Sequence, residues 1–177
     1  LYNSGESTKH MDWKVYAKSD KLFVKRYEEE TNLRCHLVVD ASSSMYYPEG
    51  KRSKINFAIL AAACLATLLQ RQKDAVSLCT FSDEIDLQTP VKSTPSHLYK
   101  ILTSLEQLRA KPSVAKKTNT VDVLHVLSKK IHQRSLVVIF SDMFDNIEEA
   151  DQLFAALQHL KHHKHEVIVF HVNDFAT

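Results

Sequence analysis

Asp40 opens the stretch Asp40-Ala41-Ser42-Ser43-Ser44, so one carboxylate is followed at alternate positions by two hydroxyls. If the loop is extended, alternate side chains turn to one side and present their oxygens together. Asp142 ends a second apolar run, and Thr118 precedes a helical pattern. Asp40, Ser42, Ser44, Thr118 and Asp142 form a set of hard oxygen donors only. Such a set suits magnesium, manganese or calcium, whereas zinc or copper would want His or Cys, which these turns lack. Two carboxylates among neutral hydroxyls leave a bound divalent ion electrophilic on its open face. That face should attract a carboxylate from outside.

Other chemistries are excluded by composition. The chain has two glycines, Gly5 and Gly50, where average usage would give about 12. The dinucleotide fingerprint, the Walker phosphate loop and the G-x-S-x-G nucleophile elbow each need paired glycines and cannot occur. Lys and Arg number 23 against 21 Asp and Glu, a net charge of +2, which lacks the basic excess of a dedicated nucleic-acid binder. Cys35, Cys64 and Cys79 are odd in number and show no C-x-x-C spacing, so neither a disulfide framework nor a thiolate zinc site is expected. A reducing, cytoplasmic setting fits that usage. The longest charge-free stretch, Ile55 to Gln70, is shorter than the about 20 residues of a membrane span. It reads as a buried helix, and no secretion leader is read in the polar opening.

The elements that must position these donors follow from hydrophobic patterning. The 177 residues, 44% of them apolar, suit one compact domain. Short apolar runs alternate with helical periods, which predicts an α/β fold: a Rossmann-like, mostly parallel central sheet with helices on both faces and an antiparallel edge strand. Leu33 to Val39 ends at Asp40, Leu136 to Phe140 ends at Ser141 and Asp142, and Val167 to Val172 is a third such run. Ala75 to Phe81 reads as a strand, with Ile85 and Leu87 in a hairpin partner at one edge. Ile55 to Gln70 is apolar nearly all round and is expected to be sandwiched against the sheet. Helical spacing recurs from Pro95 to Leu108, from Val121 to Ile131, and from Ile147 to Leu160. Residues 1–30 read as an N-terminal extension packed on the domain, and 31–177 as the domain itself. Ligands of open α/β sheets bind beyond the carboxyl ends of the strands, where Asp40 and Asp142 are expected.

At these residues the chain resembles a known family. Asp40, Ser42 and Ser44, a Thr ahead of a helix, and an Asp closing a later strand look like the metal-ion-dependent adhesion site of von Willebrand factor type A domains. Asp12-Trp13-Lys14 with Tyr16-Ala17, Lys21 to Lys25, Glu28 to Glu30, and Val39 to Met45 are similar to the bacterial domain-of-unknown-function family fifty-eight. The resemblance covers about Gly5 to Asn146. It implies a type A fold with a magnesium-dependent (or manganese-dependent) site, often in partnership with MoxR-type AAA+ ATPases during assembly of metal-containing or envelope complexes. It implies no established catalytic activity. Thr118 and Thr120 both precede the helix, and the family spacing to Leu124 selects Thr118. Lys116 and Lys117 depart from the family pattern, which usually has Gly just before that threonine. A cationic pair there would either hinder an ion or recruit an acidic partner.

Several features carry blander readings. Serines after a strand are common turn residues. Asp83 mimics Asp142 but reads as a surface turn near the sheet edge. His159, His162, His163 and His165 read as a solvated helix end, favoured by the helix dipole, rather than as a metal site. The leading expectation is a non-catalytic module whose ion binds an acidic side chain of a protein partner. The rivals are a magnesium-dependent phosphoryl hydrolase, which a second carboxylate at position 42 would have supported, and a scaffold whose metal site has decayed.

Overall fold

The apolar run after Leu33 forms the central strand β1, Arg34–Asp40, with its last six residues buried. A computed structural model describes residues 33–50, 52–110, 120–131, 133–142, 150–162 and 164–174. The chain divides into Leu1–Thr31 and Asn32–Thr177, and the described residues belong to the second unit. The N-terminal extension expected at 1–30 therefore lies outside them.

After β1 a 3-10 turn, Ser43–Tyr46, leads to helix α1, Lys54–Arg71. Strands β2, Ala75–Phe81, and β3, Ile85–Gln88, follow, then α2, Pro95–Ala110, and α3, Thr120–Lys130. The chain continues through β4, Leu136–Ser141, α4, Ala150–His162, and β5, Glu166–His171. Five strands form one sheet in the order β3-β2-β1-β4-β5. All neighbours are parallel except β2 and β3, which pair antiparallel at the edge. This is the mostly parallel α/β sheet with an antiparallel edge strand that the patterning predicts, consistent with a Rossmann-like fold.

Strand periodicity divides the core in two. Cys35, Leu37, Val39, Leu78 and Phe140 point to one face and pack with Ala58, Ala62 and Ala66 of α1 and Ile101 and Leu105 of α2. Val38, Phe81 and Ile139 point to the other, against Leu124 and Leu127 of α3 and Leu153 and Leu160 of α4. Each fully buried leucine or phenylalanine contributes about 1.5–3 kcal/mol of transfer free energy. Together the two layers hold the strand ends in fixed register.

One expectation is corrected. Helix α1 is not buried all round: its alanine stripe lies on the sheet, while Phe57 (53% exposed), Leu60 (65%) and Leu68 (52%) face outward. A flat sheet covers only one stripe of a helix, and α2 covers one flank. By length and composition alone α1 is apolar enough to cross a membrane. Strand β5, read from sequence as a third apolar run, is an edge strand with Ile168 and Phe170 exposed on one side.

Candidate metal-ion site at the carboxyl ends of β1 and β4

The chain leaves β1 to form β2 on one side and later returns to form β4 on the other, so strand order reverses at β1. The crevice that such a switch opens lies beyond the carboxyl ends of β1 and β4. Asp40 is the last residue of β1, and Asp142 directly follows β4. Val39 pairs with Phe140, which sets Asp40 beside Ser141.

Asp40 is buried. Its Oδ1 accepts the Ser42 backbone N–H at 2.9 Å, and its Oδ2 accepts the Ser141 hydroxyl at 2.5 Å. Burial pushes the Asp40 carboxyl up to about 6 from its ordinary 3.8, and the nearby negative charge of Asp142 pushes the same way. The hydrogen bonds from Ser141 and Ser42 oppose that rise without cancelling it. The Ser42 and Ser44 hydroxyl oxygens lie 3.0 Å apart. They do not meet through an extended loop, as alternation implied. The 3-10 turn brings them together, with the Met45 N–H donating to the Ser42 carbonyl at 3.1 Å and the buried Met45 side chain anchoring the turn in the core.

Asp142 is also buried, and its Oδ2 accepts from the Lys54 ammonium at 2.7 Å. The side chains of Lys54 and Asp142 are 11% and 8% exposed, so this ion pair is shielded from solvent. Lys54 is the first residue of α1. Four of the five expected donors, Asp40, Ser42, Ser44 and Asp142, thus lie on the turns that leave β1 and β4. Thr118, Lys116 and Lys117 fall outside the described residues, while Thr120 opens α3 and is buried.

The family described as "Protein of unknown function DUF58" matches residues 1–176 of this chain. The chain belongs to the DUF58 family. The match reaches beyond Asn146, where the resemblance of the motifs ended, and takes in the last helix and strand. Uncharacterized proteins of Mycobacterium bovis and Mycobacterium tuberculosis are each 24% identical over 98% of this chain and 53% of their own length. The chain therefore spans about half the length of these relatives. Among solved structures, the conserved hypothetical protein BatB of Bacteroides thetaiotaomicron has a TM-score of 0.60 at 14% identity, covering 77% of this chain and 65% of that one. An aerotolerance-related membrane protein of Bacteroides fragilis, carrying multiple mutations to serine, has a TM-score of 0.63 at 17% identity over 79% and 67% of the two chains. At such identities the likeness concerns the fold.

The donor chemistry in this DUF58 domain fits a hard divalent cation. The Ser42 and Ser44 hydroxyls are hydrogen-bonded to each other at 3.0 Å, so both oxygens are close enough to serve as neighbouring ligands of one such ion. An ionised carboxylate has about four lone-pair sites, so the two hydrogen bonds on Asp40 leave its oxygens with capacity to bind a cation. Among the described residues there is no cluster of three or more His, Cys, Asp and Glu side chains. A site here would have to take most of its ligands from hydroxyls, as the Asp40 to Ser44 turn offers.

Two members of the pocket were not singled out from sequence. Ser141 stood in view as the residue before Asp142, but its bond to Asp40 depends on which strands are neighbours. Lys54 carried a signal: an ammonium at a helix N-terminus opposes the dipole, and a nearby carboxylate relieves that conflict. Asp83 lies in the turn after β2 and accepts from the Ser82 hydroxyl at 3.0 Å. His159 meets His125 edge to face at 5.7 Å. His165 corrects the expectation of a solvated histidine cluster: it is buried, with Nε2 3.2 Å from the Ile131 carbonyl, because the chain has already turned inward toward β5.

Proposed function

We propose that this DUF58 chain is a von Willebrand factor type A-like interaction module, not an enzyme, that binds an acidic side chain of a protein partner through Mg2+ or Mn2+. Asp40, Ser42, Ser44, Thr118 and Asp142 hold the ion. The observation that carries this reading is the gathering of a buried carboxylate, two mutually hydrogen-bonded hydroxyls and a second strand-end carboxylate at the switch point of the sheet. Asp40 and Asp142 supply charge, and Ser42 and Ser44 supply neutral ligands, so the pocket does not saturate a divalent ion electrostatically. When bound, the ion supplies a coordination position to the partner's carboxylate. A MoxR-type AAA+ ATPase is the partner class that the resemblance supports.

The test compares the chain with its Asp40→Ala variant, titrating magnesium against thermal stability and against co-purification of partners from cells. A ligand at tenfold its Kd stabilises a fold by about 1.4 kcal/mol, which reads as a rise in Tm. The intact chain should show that rise and retain a partner, and Asp40→Ala should show neither. Identical responses in both proteins would reject the site. The hydrolase reading finds less support, since Ser42 stands where a second carboxylate would serve phosphoryl chemistry. One observation favours the decayed-site reading: Asp142 already has a cation, Lys54, against it.

A further inference from the structure

Lys54 is oddly placed for a lysine. It begins α1, whose first turn has no acidic residue, so the helix dipole disfavours its charge there. A lysine stem is long and flexible, and at a helix start it ordinarily carries its ammonium out to water. Here the stem turns inward, leaving 11% of the side chain exposed, and delivers the ammonium to an Asp142 oxygen at 2.7 Å. The backbone beneath it is pinned. Asn56 Nδ2 donates to the Gly50 carbonyl at 2.9 Å and to the Ser53 hydroxyl at 2.6 Å, closing the loop before α1. From this fixed helix start the Lys54 ammonium reaches Asp142 through its flexible stem.

Asp142 is buried, and without a compensating cation its negative charge would be expensive in that setting. An ammonium and a divalent ion at the same carboxylate compete for the same electrostatic compensation: the ammonium takes one of about four lone-pair sites and its charge repels a second cation. We propose that Lys54 is the resident counter-ion of this pocket: it holds Asp142 neutralised in the metal-free chain and must be displaced from it when a divalent ion binds. The inference rests on the metal-site reading above and adds to it a tethered competitor that sets the affinity of the site. It also accounts for the observation that favoured a decayed site, since a pocket with its own cation stays folded without metal and can still exchange that cation for another.

The test is Mn2+ binding, read by the loss of the free-ion EPR signal, in the intact chain, Lys54→Met, Asp40→Ala and the double variant, with melting curves in EDTA and in saturating MnCl2. Lys54→Met keeps most of the stem and removes the charge. It should bind Mn2+ about tenfold or more tightly than the intact chain, since a charge-assisted bond no longer has to be broken. It should also melt lower than the intact chain in EDTA, and that order should shrink or reverse in MnCl2. Asp40→Ala should abolish binding in both backgrounds. Binding by Lys54→Met alone would still support the counter-ion, while removing metal dependence from the native chain. Equal or weaker binding by Lys54→Met, with binding lost in Asp40→Ala, would overturn the counter-ion and leave the metal site standing. No binding by any variant would overturn both. Lys54→Gln, uncharged and polar, gives the same reading if Lys54→Met does not fold.

Discussion

At Asp40 burial and charge are in conflict. Its carboxyl is raised to about 6, so in the metal-free chain at pH 7 the ionised form is held in the fold at a cost of up to about 3 kcal/mol. That cost disappears as pH falls through 6 toward 3.8, because the folded state then binds the proton more tightly than the unfolded state. His36 works in the opposite sense. Burial first, then the charge of Arg34 and the nearness of His165, lower it from 6.5 to about 4, and its Nδ1 lies 2.7 Å from the Ser77 hydroxyl. The stability that the neutral His36 contributes is full above 6.5 and is lost as pH falls toward 4. We predict that Asp40→Asn is more stable than the intact chain in EDTA at pH 7. Its stability should fall more steeply between pH 6.5 and 4, since the loss at His36 is no longer offset. Urea denaturation at several pH values checks both the sign and the slope. The position of Asp40 was legible because an apolar run ends abruptly on a charge. Its partner Ser141 was not, because neither residue's local pattern tells which strands lie side by side.

At the scale of the element, α1 shows where periodicity reads well and where it does not. Its existence and limits followed from an unbroken helical run, but its orientation did not, because apolar residues occupy every face and only the small ones, Ala58, Ala62 and Ala66, allow close approach to the sheet. The two faces should respond differently to substitution. Ala62→Leu should overpack the contact with the sheet and destabilise by about 1–3 kcal/mol, whereas Leu60→Lys on the exposed face should change stability by about 0.5 kcal/mol or less. Chemical denaturation distinguishes them, and the opposite order would mean that the helix is rotated. The cysteines report on the same packing. Burial pushes the thiols of Cys35 in β1 and Cys79 in β2 up to about 12, while Cys64 lies on the exposed side of α1. One thiol per chain should react rapidly with a disulfide reagent at pH 8, and three should react after denaturation. The 3-10 turn after β1 escaped the sequence reading, because three successive serines suit an extended loop as well as a tight one.

For the whole molecule, strand order is what converts scattered residues into a pocket. With β4 rather than β2 placed on one side of β1, the turns after Asp40 and Ser141 lie side by side, and the first residue of α1 reaches Asp142 across 88 positions of sequence. Alternating runs and helical periods made the α/β class and the antiparallel edge legible. They marked Lys54 only as a cation at a helix start, and its contact with Asp142 depends on which strands are neighbours. Above all, the site is proposed to exchange an internal ammonium for a divalent ion. The most direct measurement is a crystal structure of the chain grown in MnCl2, with anomalous data collected at the manganese edge. We predict an anomalous peak within coordination distance of Asp40, Ser42 and Ser44, with the Lys54 ammonium withdrawn from Asp142. An accessible crevice with no peak, and with Lys54 still on Asp142 at saturating manganese, would contradict it.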